Sequence, residues 1–393
     1  MFNFQCLYLS MPFRRLKKPI LLFIQDSRSV GILLLICTVI SLVIANLPNG
    51  TGYVNFWKME IGWLHTFHLP HSPLHLVNDG LMALFFFLAG MEIKQEMLEG
   101  ELSTLNKAAL PIAAAVGGMV VPAVLYILFN KGTLYAGGWA IPASTDIAFS
   151  LGVASLLGKR VPVSLKIFLT ALAIIDDLGA IIIIALFYGE PVKAFYHLGA
   201  VAIILIVYML NRQKVKFGIL HILFGLLLWY AIFNSGIHAT VAGVIFALLI
   251  PQHLLGHFRH QLHHIVNFII IPIFALANTA IIFPENAGAA LTSSLSWGII
   301  LGLVVGKPIG VFLASYLLVK NKKAVLPEGV SWKQLTGAGF LAGIGFTMSI
   351  FIAMLAFSQP AVQDIAKVAV LVASLLAIIC SIVWLRWAGE KAA

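Results

Sequence analysis

Charged residues are scarce in this sequence, and their scarcity excludes a water-soluble fold. Only 10% of the 393 residues are charged, whereas 61% are hydrophobic and the mean hydropathy is +1.00. A soluble domain could not bury such a fraction of apolar residues in one core. Lipid must therefore be the solvent for most of the chain, and the sequence predicts an all-α integral membrane protein.

The sequence also lacks cysteine pairs and a basic face, which excludes further classes of protein. The sequence has only three cysteines, scattered at Cys6, Cys37 and Cys380, with no C-x-x-C pair, so neither a disulfide framework nor a metal knuckle is expected. The net charge of +10 lies in short loops and forms no basic face with interleaved aromatic residues, so nucleic acid is not an expected partner.

Apolar runs long enough to cross a bilayer recur along the chain. A hydrocarbon core about 30 Å thick requires roughly 20 apolar residues in each helix. We predict one membrane domain over 28–386, preceded by a segment over 1–27 and followed by a tail over 387–393. Its twelve predicted spans are 28–46, 74–91, 108–129, 137–157, 163–188, 195–211, 217–232, 236–250, 264–283, 297–319, 335–357 and 364–385.

The basic residues give this topology a direction. With both termini in the cytoplasm, 20 of the 25 Lys and Arg residues fall on the inside, and Lys307 falls within a span. Such an asymmetry is typical of a correctly oriented multi-pass protein. We therefore expect a bacterial inner-membrane protein with both ends in the cytoplasm.

A few ionisable residues lie too deep in these spans to reach a headgroup. They are Asp146, Asp176, Asp177 and Lys307, whereas Asp79 lies near the outer end of its span and is expected to be structural. Charges at mid-membrane are costly and mark functional sites by default. Neighbouring helical residues diverge by about 100°, so one carboxylate of the Asp pair could face a cavity while the other faces an adjacent helix. The alternative is that backbone groups or a lysine satisfy both carboxylates.

Two spans carry residues that interrupt a helix. Pro142 removes a helix hydrogen bond shortly before Thr145 and Asp146. The hydroxyl, the carboxylate and freed carbonyls there are hard oxygen ligands for a small cation; a simple proline kink is the alternative. Span 335–357 contains glycines at 337, 339, 343 and 345, which could instead serve close helix packing.

The order of the spans relates these two interruptions. The triplets 108–188 and 297–385 are predicted to run in opposite senses, and each has an interrupted span in its middle. Paired interrupted spans in an inverted repeat predict a transport site near the bilayer midplane. Lys307 could neutralise a carboxylate there, or the exposed carbonyl ends of the broken helices.

Four strings in these segments are distinctive: Thr145-Asp146-Ile147-Ala148-Phe149, Ala173-Ile174-Ile175-Asp176-Asp177-Leu178-Gly179-Ala180, Gly306-Lys307-Pro308 and Gly343-Ile344-Gly345-Phe346-Thr347-Met348-Ser349. They resemble those of the NhaA-type sodium/proton antiporters, and the resemblance extends from about residue 26 to 386. It implies the NhaA fold, with twelve transmembrane helices in an inverted-topology repeat and with spans four and eleven unwound and crossing. It also implies a homodimer braced by an extracytoplasmic β-hairpin near residues 58–72.

The resemblance also implies a secondary transporter rather than an enzyme, with Na⁺, Li⁺ and H⁺ as cargo and no cofactor. Asp176 and Asp177 would bind the transported Na⁺ or Li⁺. Thr145 and Asp146 would lie at the crossing, with Lys307 as the charge partner. Family members exchange two protons inward for one sodium ion outward. Burial and like-charge proximity both favour protonation of the paired aspartates, so we expect protons and cation to compete for one site. Each 100 mV of potential then contributes about 2.3 kcal/mol to sodium extrusion.

The regulatory positions match the family less well. Glu92, Lys94 and Glu96 fall on family positions that are associated with pH activation, as does His238, although a helix-end hydrogen bond is the commoner use of such a histidine. Gln95 and Arg259 replace a familiar Arg and Glu. We predict that a histidine cluster in the loop between spans eight and nine biases the inward-facing state by titrating near neutral pH; solvated loop histidines are the alternative. The cluster comprises His253, His257, His260, His263 and His264, of which His260 and His263 match the family.

Three other functions fit the sequence less well. A sodium-coupled symporter of an organic solute could use a similar inverted repeat, but deep arginine for an anionic substrate is absent. An intramembrane aspartyl protease would require a G-x-G-D motif, whereas Gly345 is followed by Phe346. A passive channel would not need an Asp pair balanced by Lys307.

Overall fold

The computed structural model describes residues 28–189, 191, 193–283 and 291–388. The predicted segment 1–27 and residues 389–393 of the predicted tail lie outside this range. The described residues form helices and contain no strand. In chain order the helices are α1 (Arg28–Ala45), α2 (Gly50–Lys58), α3 (Gly62–Thr66), α4 (Pro73–Glu99), α5 (Leu105–Asn130), α6 (Ile147–Leu156), α7 (Val163–Phe187), α8 (Ala194–Arg212), α9 (Ile219–Phe233), α10 (Thr240–Leu249), α11 (Gln252–Asn278), α12 (Ser294–Lys320), α13 (Trp332–Ala342), α14 (Phe346–Ala356) and α15 (Pro360–Ala388), with 3₁₀ turns at Ala136–Ala143 and Gly158–Arg160.

Length and hydropathy make most of these helices able to cross a membrane. Within the described part of the chain, eight helices pass both criteria, and the bent pair α13–α14 raises the number to nine. Helices α9 and α10 are apolar but shorter. Large apolar side chains point outward, with Leu128 of α5 71% exposed and Leu186 of α7 72% exposed. Such surfaces require a lipid surrounding, so the prediction of an all-α membrane protein is confirmed.

Each predicted triplet has an interrupted element between two long helices. Between α5 and α7, the 3₁₀ turn Ala136–Ala143 leads through three extended residues into the short helix α6. Between α12 and α15, the break at Gly343–Gly345 bends α13 from α14 by 47°. Both interrupted elements lie among buried residues, since Ala140, Ile141, Leu341 and Ile344 are fully buried.

Helices α5 and α12 approach each other at glycine. A Cβ on Gly310 would collide with the carbonyl of Gly117, and a Cβ on Gly117 would collide with the carbonyl of Gly310. The absence of both side chains lets the two backbones touch, a packing mode common in membrane helices. This contact joins the first long helices of the two triplets.

The β-hairpin expected near residues 58–72 is not present. The backbone N–H of Ile61 donates to the carbonyl of His71 at 2.7 Å and closes the segment as a loop. Residues Gly62–Thr66 between them form helix α3 instead of paired strands. A hairpin requires successive cross-strand pairs, and this single bond does not extend into a ladder.

The prediction of a histidine-bearing loop between spans eight and nine is also wrong, because these residues form the first half of α11. Leu254, Phe258 and Leu262 recur at four-residue spacing and pack against the core, while Leu255 is 2% exposed. This amphipathic periodicity extends the helix twelve residues before the predicted span. The segment was predicted as a loop because hydropathy averages its polar and apolar faces together.

The contact between α5 and α12 predicts a position-dependent effect of one methyl group. Gly310→Ala should lower stability by about 1–3 kcal/mol, because overpacking forces two backbones apart. Gly199→Ala in α8 is the matched control, since nothing lies within 4 Å of its added Cβ; it should be neutral or slightly stabilising. Thermal unfolding in one detergent, followed by fluorescence-detected size exclusion, compares them. Equal melting temperatures for the two variants would contradict the packing argument.

Candidate ion-binding site

The two interrupted elements bind each other through groups that their breaks leave unpaired. The backbone N–H of Asp146 donates to the carbonyl of Ile344 at 2.7 Å. Ser150 donates its hydroxyl to the carbonyl of Leu341 at 2.7 Å, and the Ser349 hydroxyl donates to another carbonyl across the contact, that of Ile141, at 2.7 Å. Unpaired backbone groups are costly in lipid, so these bonds explain how both interruptions persist inside the protein.

Asp146 faces the N-termini of two short helices. Its Oδ1 accepts from the backbone N–H of Phe149 at 2.9 Å, which makes it the N-cap of α6. Its Oδ2 accepts from the backbone N–H of Thr347 at 3.2 Å and from the Thr347 hydroxyl, in the first turn of α14. Helix N-termini stabilise negative charge, so the Asp146 carboxylate has compensation within the fold although it is 3% exposed.

Asp176 forms a buried ion pair with Lys307. The Lys307 Nζ lies 2.6 Å from Asp176 Oδ2, and both side chains are fully buried. The same ammonium donates to the carbonyl of Ala143 at 2.6 Å, at the end of the first interruption. Lys307 therefore contacts both of the partners considered from the sequence, a carboxylate and a carbonyl at the end of an interrupted helix.

Thr145 joins this ion pair to the second interruption. Its Oγ1 lies 2.7 Å from Asp176 Oδ2 and 2.8 Å from the carbonyl of Ala342, the last residue of α13. Asp176 Oδ2 thus receives two polar contacts, while Oδ1 has no hydrogen-bond partner among the described residues. The Thr145 hydroxyl holds the carboxylate against the contact between the two breaks.

Asp177 lies next to these groups but faces a cavity. The cavity has a volume of about 310 Å³, and Asp146, Asp177 and Thr347 line its inner end. Within the part of the chain that is described, Asp177 Oδ1 has no hydrogen-bond partner, and the residue is 3% exposed. The two neighbouring aspartates therefore have different surroundings: Asp176 contacts α12, and Asp177 faces open space.

Only some of the predicted regulatory residues reach this cavity. Glu92 and Glu96 of α4 line it, and so do Arg259 and His263 of α11. Amide Nδ2 of Asn267, also in the cavity wall, lies 3.1 Å from the ring Nε2 of His263. The cavity therefore has carboxylates and basic groups on facing helices.

The remaining regulatory candidates lie elsewhere. Lys94 donates to the carbonyls of Leu248 and Ile250, at 2.7 and 2.6 Å, and so caps the end of α10. His238 contacts the carbonyl of Tyr188 and lines a different cavity. His257 and His260 are exposed on α11 and do not line the cavity of Asp177.

Thr347 and Asn267 line the cavity, although neither had a role in our sequence-based prediction. Thr347 was visible only as part of the string after Gly345, and nothing in that string indicated that its hydroxyl would meet Asp146. Asn267 follows His263 by four residues, which is about one helical turn, and contacts its ring. The helical extension of α11 was the missing signal, because it aligns both side chains on one face.

The buried charges and the interrupted helices together indicate a class of protein. Three buried carboxylates and one buried ammonium lie between interrupted helices of a multi-pass membrane protein, which is the architecture of an ion-handling membrane protein and not of a soluble enzyme. The chain belongs to the Na⁺/H⁺ antiporter 1 family, which it matches over residues 22–385. The predicted resemblance is thereby confirmed.

Individual relatives match nearly end to end. The chain is 45% identical over 370 residues to the Na⁺/H⁺ antiporter NhaA of Cytophaga hutchinsonii, covering 93% of this chain and 94% of the relative. It is 50% identical over 365 residues to Na⁺/H⁺ antiporter NhaA 2 of Flavobacterium johnsoniae, covering 90% and 89%. The NhaA of a Shewanella strain, ANA-3, is 47% identical over 384 residues, covering 94% and 98%.

The Lys307–Asp176 pair predicts non-additive stability. Lys307→Met or Asp176→Asn alone should cost about 3–5 kcal/mol, because each leaves the other charge buried without its partner. The double variant should lose less than the sum of the two. Thermal unfolding of the four proteins in one detergent gives the coupling. Lys320→Met, at the exposed end of α12, is the control and should change little; additive losses at 307 and 176 would argue against the pair.

Proposed function

We propose that this protein is an electrogenic Na⁺(Li⁺)/H⁺ antiporter that exports sodium in exchange for protons by alternating access. The observation that carries the proposal is the contrast among three buried carboxylates. Asp146 faces two helix N-termini and Asp176 faces Lys307, whereas Asp177 Oδ1 lacks a partner in the described structure and the residue lines a cavity. A proton or a small cation can supply the missing compensation.

Competition for one carboxylate is sufficient to couple the two ions. An ionised carboxylate in a buried site requires a counter-charge. Either Na⁺ or protons can provide it, and occupancy by one excludes the other. If only the neutralised site can reorient, each cycle carries one kind of cargo in each direction.

The number of buried charges is consistent with the transport of more than one proton per cycle. Three carboxylates share one ammonium in the buried region, so neutralisation of the site requires additional positive charge. We infer the exchange of two H⁺ for one Na⁺. The net inward charge makes the membrane potential a driving force.

The accessible side of the site follows from the cavity. It runs from Asp177 to Glu92 and Glu96, towards the C-terminal end of α4. In the proposed topology, with twelve spans, both termini inside and the bacterial inner membrane as location, that end faces the cytoplasm. The arrangement then corresponds to an inward-facing state, and a homodimer in lipid is the proposed assembly.

Replacing one oxygen by nitrogen at Asp177 should abolish exchange. Asp177→Asn removes the charge that competes for Na⁺ and H⁺ while keeping the side-chain volume. We expect loss of Na⁺-induced dequenching of a pH dye in proteoliposomes, by at least about tenfold, because an ion-binding charge is lost. Glu328→Gln is the control, since it removes one carboxylate charge from an exposed residue away from the cavity.

A direct binding measurement makes the same test independent of transport. Addition of Na⁺ to weakly buffered wild-type protein in detergent should release protons, and Asp177→Asn should release none. A correctly folded Asp177→Asn protein that exchanges at the wild-type rate, or Na⁺ binding without proton release, would overturn the proposal.

We further propose that the charged cavity wall adjusts the pH response. Arg259 and His263 face Glu92 and Glu96 across the passage to Asp177. A protonated His263 adds positive charge there and opposes cation entry. As pH rises and the imidazole loses its proton, that opposition disappears and Na⁺ occupancy increases.

Among the five histidines of α11, His263 should therefore account for the effect on the pH dependence of transport. His263→Gln removes the acid-side repulsion, so the acid limb of the activity–pH profile should move to lower pH by about one unit or less. His253→Gln, exposed on the same helix and absent from the cavity wall, should leave the profile in place. Initial rates in proteoliposomes across a pH series provide the measurement. An unchanged profile after replacement of all five histidines of α11 would exclude the idea.

A further inference from the structure

A second cavity, of about 610 Å³, lies at the opposite end of α4 from the one that Asp177 lines. It is bounded by the loop before α4, the first turns of α4, and residues near the end of α9. Its ionisable lining is dominated by imidazole groups. These are His65, His68, His71, His75 and His238, with Asp79 and Lys193.

Two of these imidazoles are in direct contact. His71 Nδ1 and His75 Nδ1 are 3.2 Å apart, and their ring centroids are 4.7 Å apart. His75 Nε2 lies 3.0 Å from Asp79 Oδ2, one turn further along α4. The three side chains thus form a continuous row from the loop into the helix.

The carboxylate determines which nitrogen of His75 is free. Asp79 accepts a hydrogen from Nε2, so in the neutral ring Nδ1 presents its lone pair towards His71. In that arrangement the space between the two Nδ1 atoms holds either one proton or a metal ion. A carboxylate on the remote nitrogen of a metal-binding histidine is a recurrent arrangement, because it fixes the tautomer and increases ligand basicity.

The spacing suits a metal ion. Zinc–imidazole bonds of 2.0–2.1 Å in a tetrahedral site place two ligand nitrogens about 3.3 Å apart. The observed 3.2 Å is close to this separation. Imidazole ligands favour Zn²⁺ and Cu²⁺ over Mg²⁺ and Ca²⁺.

We propose that His71 and His75 bind a divalent transition-metal ion through their Nδ1 atoms, with Asp79 orienting His75. The described residues contain no group of three His, Cys, Asp or Glu side chains already arranged around one point. Water therefore completes the coordination, or His65, whose ring centroid is 6.3 Å from that of His71. Such an open site exchanges its ion with solvent, unlike a closed structural zinc site. The bound ion joins the loop to the first turn of α4.

Zn²⁺ titration of the purified full-length protein tests the site directly. The affinity tag is removed, and binding is measured by calorimetry and by competition with a chromogenic chelator. Wild type should bind one equivalent that His71→Gln and His75→Gln each lose. Asp79→Asn should bind the same equivalent about 10–100-fold more weakly, as expected for a group that orients a ligand. Mg²⁺ should not compete.

Two controls separate this site from other histidines. His68→Asn changes a residue of the same cavity wall that is absent from the row, and Asn tolerates its backbone φ of 51°; binding should be retained. His264→Gln disrupts the pair His260–His264 on α11, whose ring centroids are 5.9 Å apart, and should also leave the equivalent intact.

The proposal would be overturned by either of two results. One is equal Zn²⁺ binding by wild type and the doubly substituted His71→Gln, His75→Gln protein, which would mean that the two nitrogens share only a proton. The other is loss of the equivalent in His264→Gln, which would place the ion on α11. Because binding is measured without transport, neither result depends on the proposed antiport activity.

Discussion

The contact between the two interrupted helices is the constraint on which the charged site depends. An unwound backbone inside a bilayer leaves N–H and carbonyl groups that must find partners within the protein. Here the partners lie in the other interruption: Asp146 donates its N–H to the carbonyl of Ile344, and Ser150 and Ser349 donate to carbonyls on opposite sides of the contact. Neither break would be stable without the other. The same contact brings Thr145 to the end of α13 and Lys307 to the end of the 3₁₀ turn, so backbone satisfaction and placement of the charges have one cause.

Once the breaks are joined, the carboxylates become chemically unequal. Helix N-termini offset the charge of Asp146, and an ammonium offsets that of Asp176. Asp177 follows Asp176 in sequence but projects about 100° around α7, away from Lys307 and into the cavity. A protein that needed two aspartates only for folding would have paired both. The proposed exchange rests on this unequal compensation, because a proton or a cation from outside the fold would meet the charge of Asp177.

The fold class and the buried charges could be predicted from sequence, because hydropathy and the cost of ions in lipid are properties of the residues themselves. The different surroundings of Asp176 and Asp177 could also be predicted, from helical geometry. The predictions failed where the structure of a segment depends on which other segments it packs against. Residues 58–72 form a loop with helix α3 because no second strand pairs with them. The start of α11 was missed because an amphipathic helix averages to a polar segment, and this error hid the selection of His263 over its neighbours for the cavity. The row from His71 to Asp79 depends on a loop closure that residue spacing does not reveal.

Close packing also indicates which parts could move together in the proposed exchange. Gly117 and Gly310 join α5 to α12, so the helix that carries Lys307 is fixed to the first triplet. Gly243 of α10 packs in the same way against the backbone of α4, near Ala83 and Phe87. The cavity of Asp177 lies between these two packed units: α4 and α11 supply one wall, and α6, α7 and α14 supply the other. Relative movement of the units would therefore change the width of this cavity, while the 2.6 Å ion pair holds Asp176 of α7 to Lys307 of α12. Alternating access requires this combination of a rigid charged site and a variable opening beside it.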